Sequence, residues 1–586
     1  MNRGLLNAVW LAALLAAAIA CDSTATISAR SVRFERSLVV SAVPLVENAG
    51  SSNNDDNLVP ACFVEPEDVI AGFDINFVLQ SSALESECAG ERDRDRAIRP
   101  GDRIERRVVD PAASIGVEDF ELDIQCVQPY PDENISSTVC NPGGVTGVNV
   151  NVENLEWKRF HSAETNVRQG PRRCEATSVA LLIDQSGGMT GFVNPEIGYQ
   201  QDLHGHFQIP GDEERRAVAS DPDRHRLAAA DDFISKLNAR DELVVFGFQE
   251  RSESADIEVL CDAPPLPAEG NYAGTPEYIR KALNCYGRNR AIVRNAVRSG
   301  YGSEEGRTPL WDAVARTYEF LRRDDVRAAD NRHIVVITDS PDTCNAAGDE
   351  FLSHRAQCSA RSFEDLRDLV VEGNSIPGLP PTHIHFVQIQ ARGYRDRDPR
   401  QQEIACLTGG HYIFINAFDT PRERGTPELS AALIEALSRI RYSLAGHWRM
   451  RVSSPTFDVS PNQVGYLAPG RLYSMAGELS FQSRIFTGEQ RRVSVFDATG
   501  SLRTGAWDQR LAFRRACTAC NQCYDEGTPD PCKIYCSEAQ RICLAEPLER
   551  PNLQSDGSPT TCTTASVEDG VCCDGVCQAG PCGVES

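Results

Sequence analysis

Three short segments of this 586-residue chain carry side chains that could grip a metal ion. Asp184-Gln185-Ser186 follows the apolar run Val179 to Ile183, Thr308 stands ahead of Pro309, and Asp339 follows the run ending Ile337-Thr338. Two carboxylates and two hydroxyls are hard oxygen donors, and meeting at one point they would suit Mg2+, or Mn2+ or Ca2+ in its place. Each also has a purely structural reading. Asp184 and Asp339 could end strands, and Thr308 is a good helix N-cap before proline. Only their conjunction is informative, because residues just past the C-termini of parallel strands converge on one crevice.

The elements needed for that convergence can be read in order. Val179 to Ile183 is a short continuous apolar run, the pattern of a strand buried on both faces. Asp221-Pro222 opens a helix that puts Leu227, Ala230, Phe233, Ile234 and Leu237 on one face. A strand (Leu243 to Phe248), a helix (Arg290 to Val297) and a helix starting at Thr308-Pro309 come next. Then follow strand Ile334 to Thr338, helix Phe363 to Val371, strand Ile384 to Ile389, helix Arg400 to Leu407 and strand Tyr412 to Ile415. A last helix opens at Thr426-Pro427 and buries Leu429, Leu433, Leu437, Ile440 and Leu444. Strands alternating with helices at this rhythm predict an α/β domain with a doubly wound, mostly parallel, Rossmann-like sheet.

Here the chain resembles the von Willebrand factor type A family. The resemblance runs through Leu181-Leu182-Ile183-Asp184-Gln185-Ser186-Gly187-Gly188-Met189, Gly306-Arg307-Thr308-Pro309-Leu310-Trp311-Asp312-Ala313 and Val335-Val336-Ile337-Thr338-Asp339. It implies a metal-ion-dependent adhesion site in which Ser186 and Thr308 bind the ion directly. Asp184 and Asp339 would bind directly or through water, and the open position would take an acidic group from a protein or surface-polymer partner. One ligand departs from the pattern: the family's first segment is Asp-x-Ser-x-Ser, and Gly188 occupies its last position. A water can replace the lost hydroxyl at some loss of affinity. Ser340 stands where the family often has Gly, and Asp342 is a candidate acceptor nearby.

Long insertions enlarge the domain on the expected crevice side, Thr190 to Ser220 and Cys344 to Cys358. Cys344 with Cys358, and Cys261 with Cys285, are candidate local disulfides that would stiffen such loops. Cys406 lies on the apolar side of its helix, where a buried free thiol is an alternative to a bridge.

Around this domain (173–445) the chain divides into an export signal (1–20), a β-rich module (21–172), a small β module (446–516) and a cysteine-rich tail (517–586). Met1 to Ala20 carries Arg3 and an apolar run from Leu11, and Ala18-Ile19-Ala20-Cys21 resembles a bacterial lipobox. The expectation is an exported cell-envelope protein anchored to a membrane by lipid on Cys21, with ordinary cleavage after Ala20 as the alternative. Asp22 leaves inner and outer membrane both open. The tail holds eleven of the 22 cysteines and few large apolar residues, so cross-links must stabilise it. Cys517, Cys520 and Cys523 resemble the start of an iron–sulfur ligand run, but the next cysteine is Cys532, and export favours disulfides.

Composition narrows the function classes. With 59 Lys+Arg against 84 Asp+Glu, the net charge of −25 argues against nucleic-acid binding. A serine hydrolase would need a His base beside Ser186, and only His204, His206 and His225 are near in sequence. The expectation is therefore a non-enzymatic binding protein, with a metal-free structural scaffold as its rival.

Overall fold

The computed structural model describes residues between Phe34 and Cys582, apart from intervening stretches of which the longest are 48–57, 86–95, 105–114, 130–144, 159–176, 191–218, 262–281, 345–357, 416–426 and 455–471. The signal segment and Cys21 lie outside the described residues.

At its centre is a six-stranded sheet: β1 (Thr177–Asp184), β2 (Glu242–Arg251), β3 (Ser254–Val259), β4 (Asn331–Thr338), β5 (Thr382–Ile389) and β6 (Tyr412–Ile415). Its spatial order is β3-β2-β1-β4-β5-β6, parallel throughout except for the antiparallel edge strand β3. The order reverses between β1 and β4, which makes the C-terminal ends of those strands the switch point of the sheet. All eight residues of β1 are buried, as an apolar strand covered on both faces must be. Helices α1 (His225–Lys236), α2 (Arg290–Ser299) and α6 (Pro427–Ser443) pack together, as do α3 (Leu310–Leu321), α4 (Phe363–Asn374) and α5 (Pro399–Leu407). The apolar runs anticipated the parallel strands, but β3 escapes that reading. Its residues alternate half-buried and buried along Ser254-Ala255-Asp256-Ile257-Glu258-Val259, the period-2 pattern of an edge.

The flanking segments differ from expectation. Among the described residues, most strands of 446–516 do not stand apart but extend the sheets formed by strands of 21–172. Strand His447–Ser453 pairs on one side with Ile70–Ser81 and on the other with Asn151–Lys158, and Leu472–Phe481 pairs with Phe120–Pro129. The two antiparallel sheets share one apolar core, including Phe73, Ile75, Phe77, Ile124, Val127, Met450, Val452 and Leu479. Phe77 of one sheet meets Phe120 of the other edge to face, ring centroids 5.2 Å apart. The α/β domain is thus inserted into a β-sandwich, between the paired strands Asn151–Lys158 and His447–Ser453. The chain returns at Gly446, whose φ of +134° and the carbonyl of Lys158, 2.5 Å from where a Cβ would stand, both require glycine.

A covalent tie joins the two bodies. Cys406 of α5 is bonded to Cys62 of the sandwich, so it is no free thiol. A bridge closing so long a loop restricts the unfolded chain strongly, and typical disulfides contribute about 2–4 kcal/mol. Cys62→Ser should lower stability by about that amount, read as the urea midpoint of the oxidised protein. A non-reducing digest should show the 62 and 406 peptides linked; an unchanged midpoint would mean the bridge is idle. In the tail, five disulfides (Cys520–Cys536, Cys523–Cys543, Cys532–Cys572, Cys562–Cys577 and Cys573–Cys582) do the work of a core.

Candidate functional site

At the switch point the sheet delivers two loops and a helix start to one place. Asp184 is the last residue of β1, Asp339 follows the last residue of β4, and Thr308 precedes α3. Cross-loop hydrogen bonds fix them against one another. The Gly187 N–H donates to the Gly306 carbonyl at 3.0 Å, and the Thr343 N–H donates to the Thr308 carbonyl at 3.0 Å. Gly306 has a φ of +73°, and a Cβ there would lie 2.3 Å from the Glu250 carbonyl oxygen, so the approach of this loop depends on glycine.

The oxygens are buried and mostly committed. Asp184 accepts from the Ser186 N–H at 2.8 Å and from the Thr338 hydroxyl at 2.6 Å. Thr308 Oγ1 lies 2.9 Å from Ser340 Oγ. Thr308 does not cap α3, because the Asp342 carboxylate accepts from the Trp311 N–H at 2.8 Å and does that work. The Thr308 hydroxyl is thereby left to the rim. Asp342 also accepts from the Cys344 N–H at 2.8 Å, so it holds the helix start to its own loop.

Two oxygens stand out. Ser186 Oγ and Asp339 Oδ1 are buried and have no partner in hydrogen-bond geometry among the described residues. Leaving such atoms dry normally costs about 1–3 kcal/mol each, so their occurrence at one rim asks for a ligand. Electrostatics agree in sign. Burial raises the pKa of Asp184, and burial together with the Asp184 charge pushes Asp339 up to about 7. Two carboxylates in so small a dry volume are best kept ionised by a cation. Ser186, Thr308, Asp184 and Asp339 are therefore a donor set that fits a hard divalent ion.

Behind the rim sits a charged group absent from the sequence reading. Arg226 of α1 is fully buried and donates through Nε to the Asp184 carbonyl at 2.9 Å. It also bonds the Asp221 carboxylate at 2.9 Å and that of Glu304. The signal was available, because Arg226 falls on the same helical stripe as Ala230 and Phe233, where a cation is out of place unless paired. Of the histidines considered as bases, His204 and His206 lie outside the described residues. His225 opens α1, its N–H donating to Asp221 Oδ1 at 2.7 Å. The loop cysteines are joined as Cys261–Cys285 and Cys344–Cys358.

No family model matches the chain, and no curated protein matches it either. Several solved structures are similar, and von Willebrand factor type A domains are among them. One is the von Willebrand factor type A protein from Catenulispora acidiphila, 12% identical, covering 70% of this chain and 76% of that one at a TM-score of 0.26. Another is the PilB minor pilin from Streptococcus sanguinis, 10% identical, covering 70% and 88% at 0.26. A third is the manganese-loaded Plasmodium vivax TRAP protein, 11% identical, covering 58% and 94% at 0.21. Likeness at these TM-scores carries no argument, and the site stands on the strand order and the oxygens above.

Proposed function

We propose that this chain is an exported cell-envelope protein whose α/β domain is of the von Willebrand factor type A kind and binds a protein or surface polymer through a divalent ion. A lipid anchor at Cys21 would hold it to a membrane. The observation that carries the reading is the pair of partnerless buried oxygens, Ser186 Oγ and Asp339 Oδ1, on loops meeting at the switch point. Ser186, Thr308, Asp184 and Asp339 would hold the ion, Mg2+ or Mn2+ by ligand hardness. When bound, the ion supplies a positive centre with an exchangeable position for an acidic group of the partner. The chain's own residues orient that position: Asp342 frees the Thr308 hydroxyl, and Thr338 and the Ser186 N–H fix the Asp184 carboxylate.

The test is a metal titration of the mature chain. The whole chain is the right object, since excising 173–445 would cut the bond from Cys406 to Cys62. Mg2+ at a hundredfold excess over its Kd should raise stability by about 2.7 kcal/mol by mass action, and Asp184→Ala should abolish the shift. A melting temperature indifferent to Mg2+ and Mn2+ would favour the metal-free scaffold instead. Partner capture should then follow the same cation dependence.

A further inference from the structure

We infer that Ser220 supplies the hydroxyl that the metal-binding pattern loses at Gly188; this rests on the divalent-ion reading of the rim. A side chain at Gly188 would crowd the Asp339 carboxylate as the loops stand. A Cβ built there would lie 2.9 Å from Asp339 Oδ2, closer than real Cβ atoms come, so a serine would have to displace that carboxylate. The oxygen that would be struck is the one already occupied. Ser220 Oγ donates to Asp339 Oδ2 at 2.7 Å, and Ser220 is 1% exposed. A hydroxyl thus stands on the Gly188 side of the rim, delivered by another part of the chain.

Ser220 is held there from both directions. Its N–H donates to the Gly188 carbonyl at 3.1 Å, and the next N–H, of Asp221, donates to the Met189 carbonyl at 2.8 Å. Asp221 is itself pinned, its carboxylate accepting from the N–H groups of His225 at 2.7 Å and Arg226 at 3.0 Å and from the Arg226 guanidinium. The N-terminus of α1 therefore fixes the backbone beside Ser220, and the bond to Asp339 orients the hydroxyl itself. While its proton goes to Asp339, a serine hydroxyl retains two lone pairs, so it can donate to the carboxylate and ligate a cation together. The two oxygens without partners, Ser186 Oγ and Asp339 Oδ1, belong to the same rim.

The experiment compares the full chain with Ser220→Ala, Ser220→Thr and Asp184→Ala, using Mn2+ alone as the probe. Calorimetry gives the Kd, and water-oxygen hyperfine spectroscopy counts the waters on bound Mn2+. Ser220→Ala should weaken binding by at least about tenfold and add one bound water, and Ser220→Thr should recover most of the affinity. A purely structural role for Ser220 would instead lower the melting temperature in EDTA and leave Kd and water count unchanged. That result would overturn the assignment while leaving the metal site in place. Absence of Mn2+ binding by the unaltered chain would overturn both, so the two failures are distinct.

Discussion

Acidifying the protein from about pH 7.5 to about pH 5 is expected to remove several kcal/mol of stability, through histidines buried where the α/β domain meets the sandwich. Five of the ten histidines (His333, His383, His385, His411 and His447) are at least nine-tenths buried. Their rings follow one another, with centroids 5.2 Å apart for His333 and His385, 5.2 Å for His385 and His411, and 5.1 Å for His411 and His447. The hydrogen-bond order assigns neutral tautomers. His333 Nε2 donates to Asn331 Oδ1 at 2.8 Å, which leaves Nδ1 to accept from His385 Nε2 at 2.9 Å. His385 Nδ1 accepts in turn from the His411 N–H at 3.1 Å. Ser41, from the sandwich, accepts from the Asn76 amide at 3.0 Å and shares a hydrogen bond with His411 Nδ1 at 2.9 Å. A proton on His333 Nδ1 or His385 Nδ1 would set N–H against a donor.

Burial, aided by mutual repulsion, holds His333, His385 and His411 well below the usual value of 6.5, and burial with the nearby Arg449 takes His447 to about 3. Lys158 also faces His447, so the charges acting on that ring among the described residues oppose a proton there. The sign follows directly. The unfolded chain binds protons that the folded chain refuses, so this stability is complete above 6.5 and is lost as pH falls below it. At about pH 5 a histidine that stays neutral in the folded chain costs up to ~2 kcal/mol. Asp339, raised to about 7, works in the opposite direction and returns ~2 kcal/mol over the same interval. Asp184, Asp398 and Glu403, raised by burial, act in the same sense, and the expected fall is what the four histidines remove beyond these. Urea midpoints measured across this interval should fall steeply, and His411→Gln should flatten the slope by about one proton. A midpoint that stays level from neutral to about pH 5 would show that the rings are not buried together as described.

The same cluster shows what a sequence conceals. The parallel strands were legible because burial on both faces leaves unbroken apolar runs such as Val179 to Ile183. The candidate rim residues Asp184, Ser186, Thr308 and Asp339 were legible because short loops at a switch point keep their spacing to those runs. His383 and His385, by contrast, are buried on a strand whose every residue is buried, where a reader of hydropathy sees only a polar interruption. Ser41 and His447, the neighbours of His411 in the same cluster, come from the sandwich, and nothing local encodes that meeting. The sandwich was missed for the same reason. Trp448 lies opposite Trp157 and Phe77, partners separated from it by the whole inserted domain, and period-2 alternation gives each strand without its register. Ser220 was hidden differently, since the segment before it read only as an insertion.

Arg226→Met is the second substitution expected to act strongly. The guanidinium is the shared partner of Asp221 and Glu304, all three almost wholly inaccessible, and its Nε holds the carbonyl of Asp184. Burial by itself would lower the Arg226 pKa, but the charges of Asp221 and Glu304 more than reverse it, so the arginine stays charged. Methionine fills similar space but leaves the buried Asp221 carboxylate without its cation and Glu304 with only the partly exposed Arg224, 2.9 Å away, and breaking a buried pair typically costs about 3–5 kcal/mol. The loss should appear as a lowered urea midpoint with an unchanged slope. Neutralising an orphaned carboxylate should return part of it, so Arg226→Met with Glu304→Gln should be less damaging than the sum of the two single changes by more than ~1 kcal/mol. Strict additivity would mean that Arg226 and Glu304 do not share a desolvated contact. Because Arg226 also grips the Asp184 backbone, Arg226→Met should weaken Mn2+ binding beyond what Glu304→Gln does, and equal effects would place the arginine's role in stability alone.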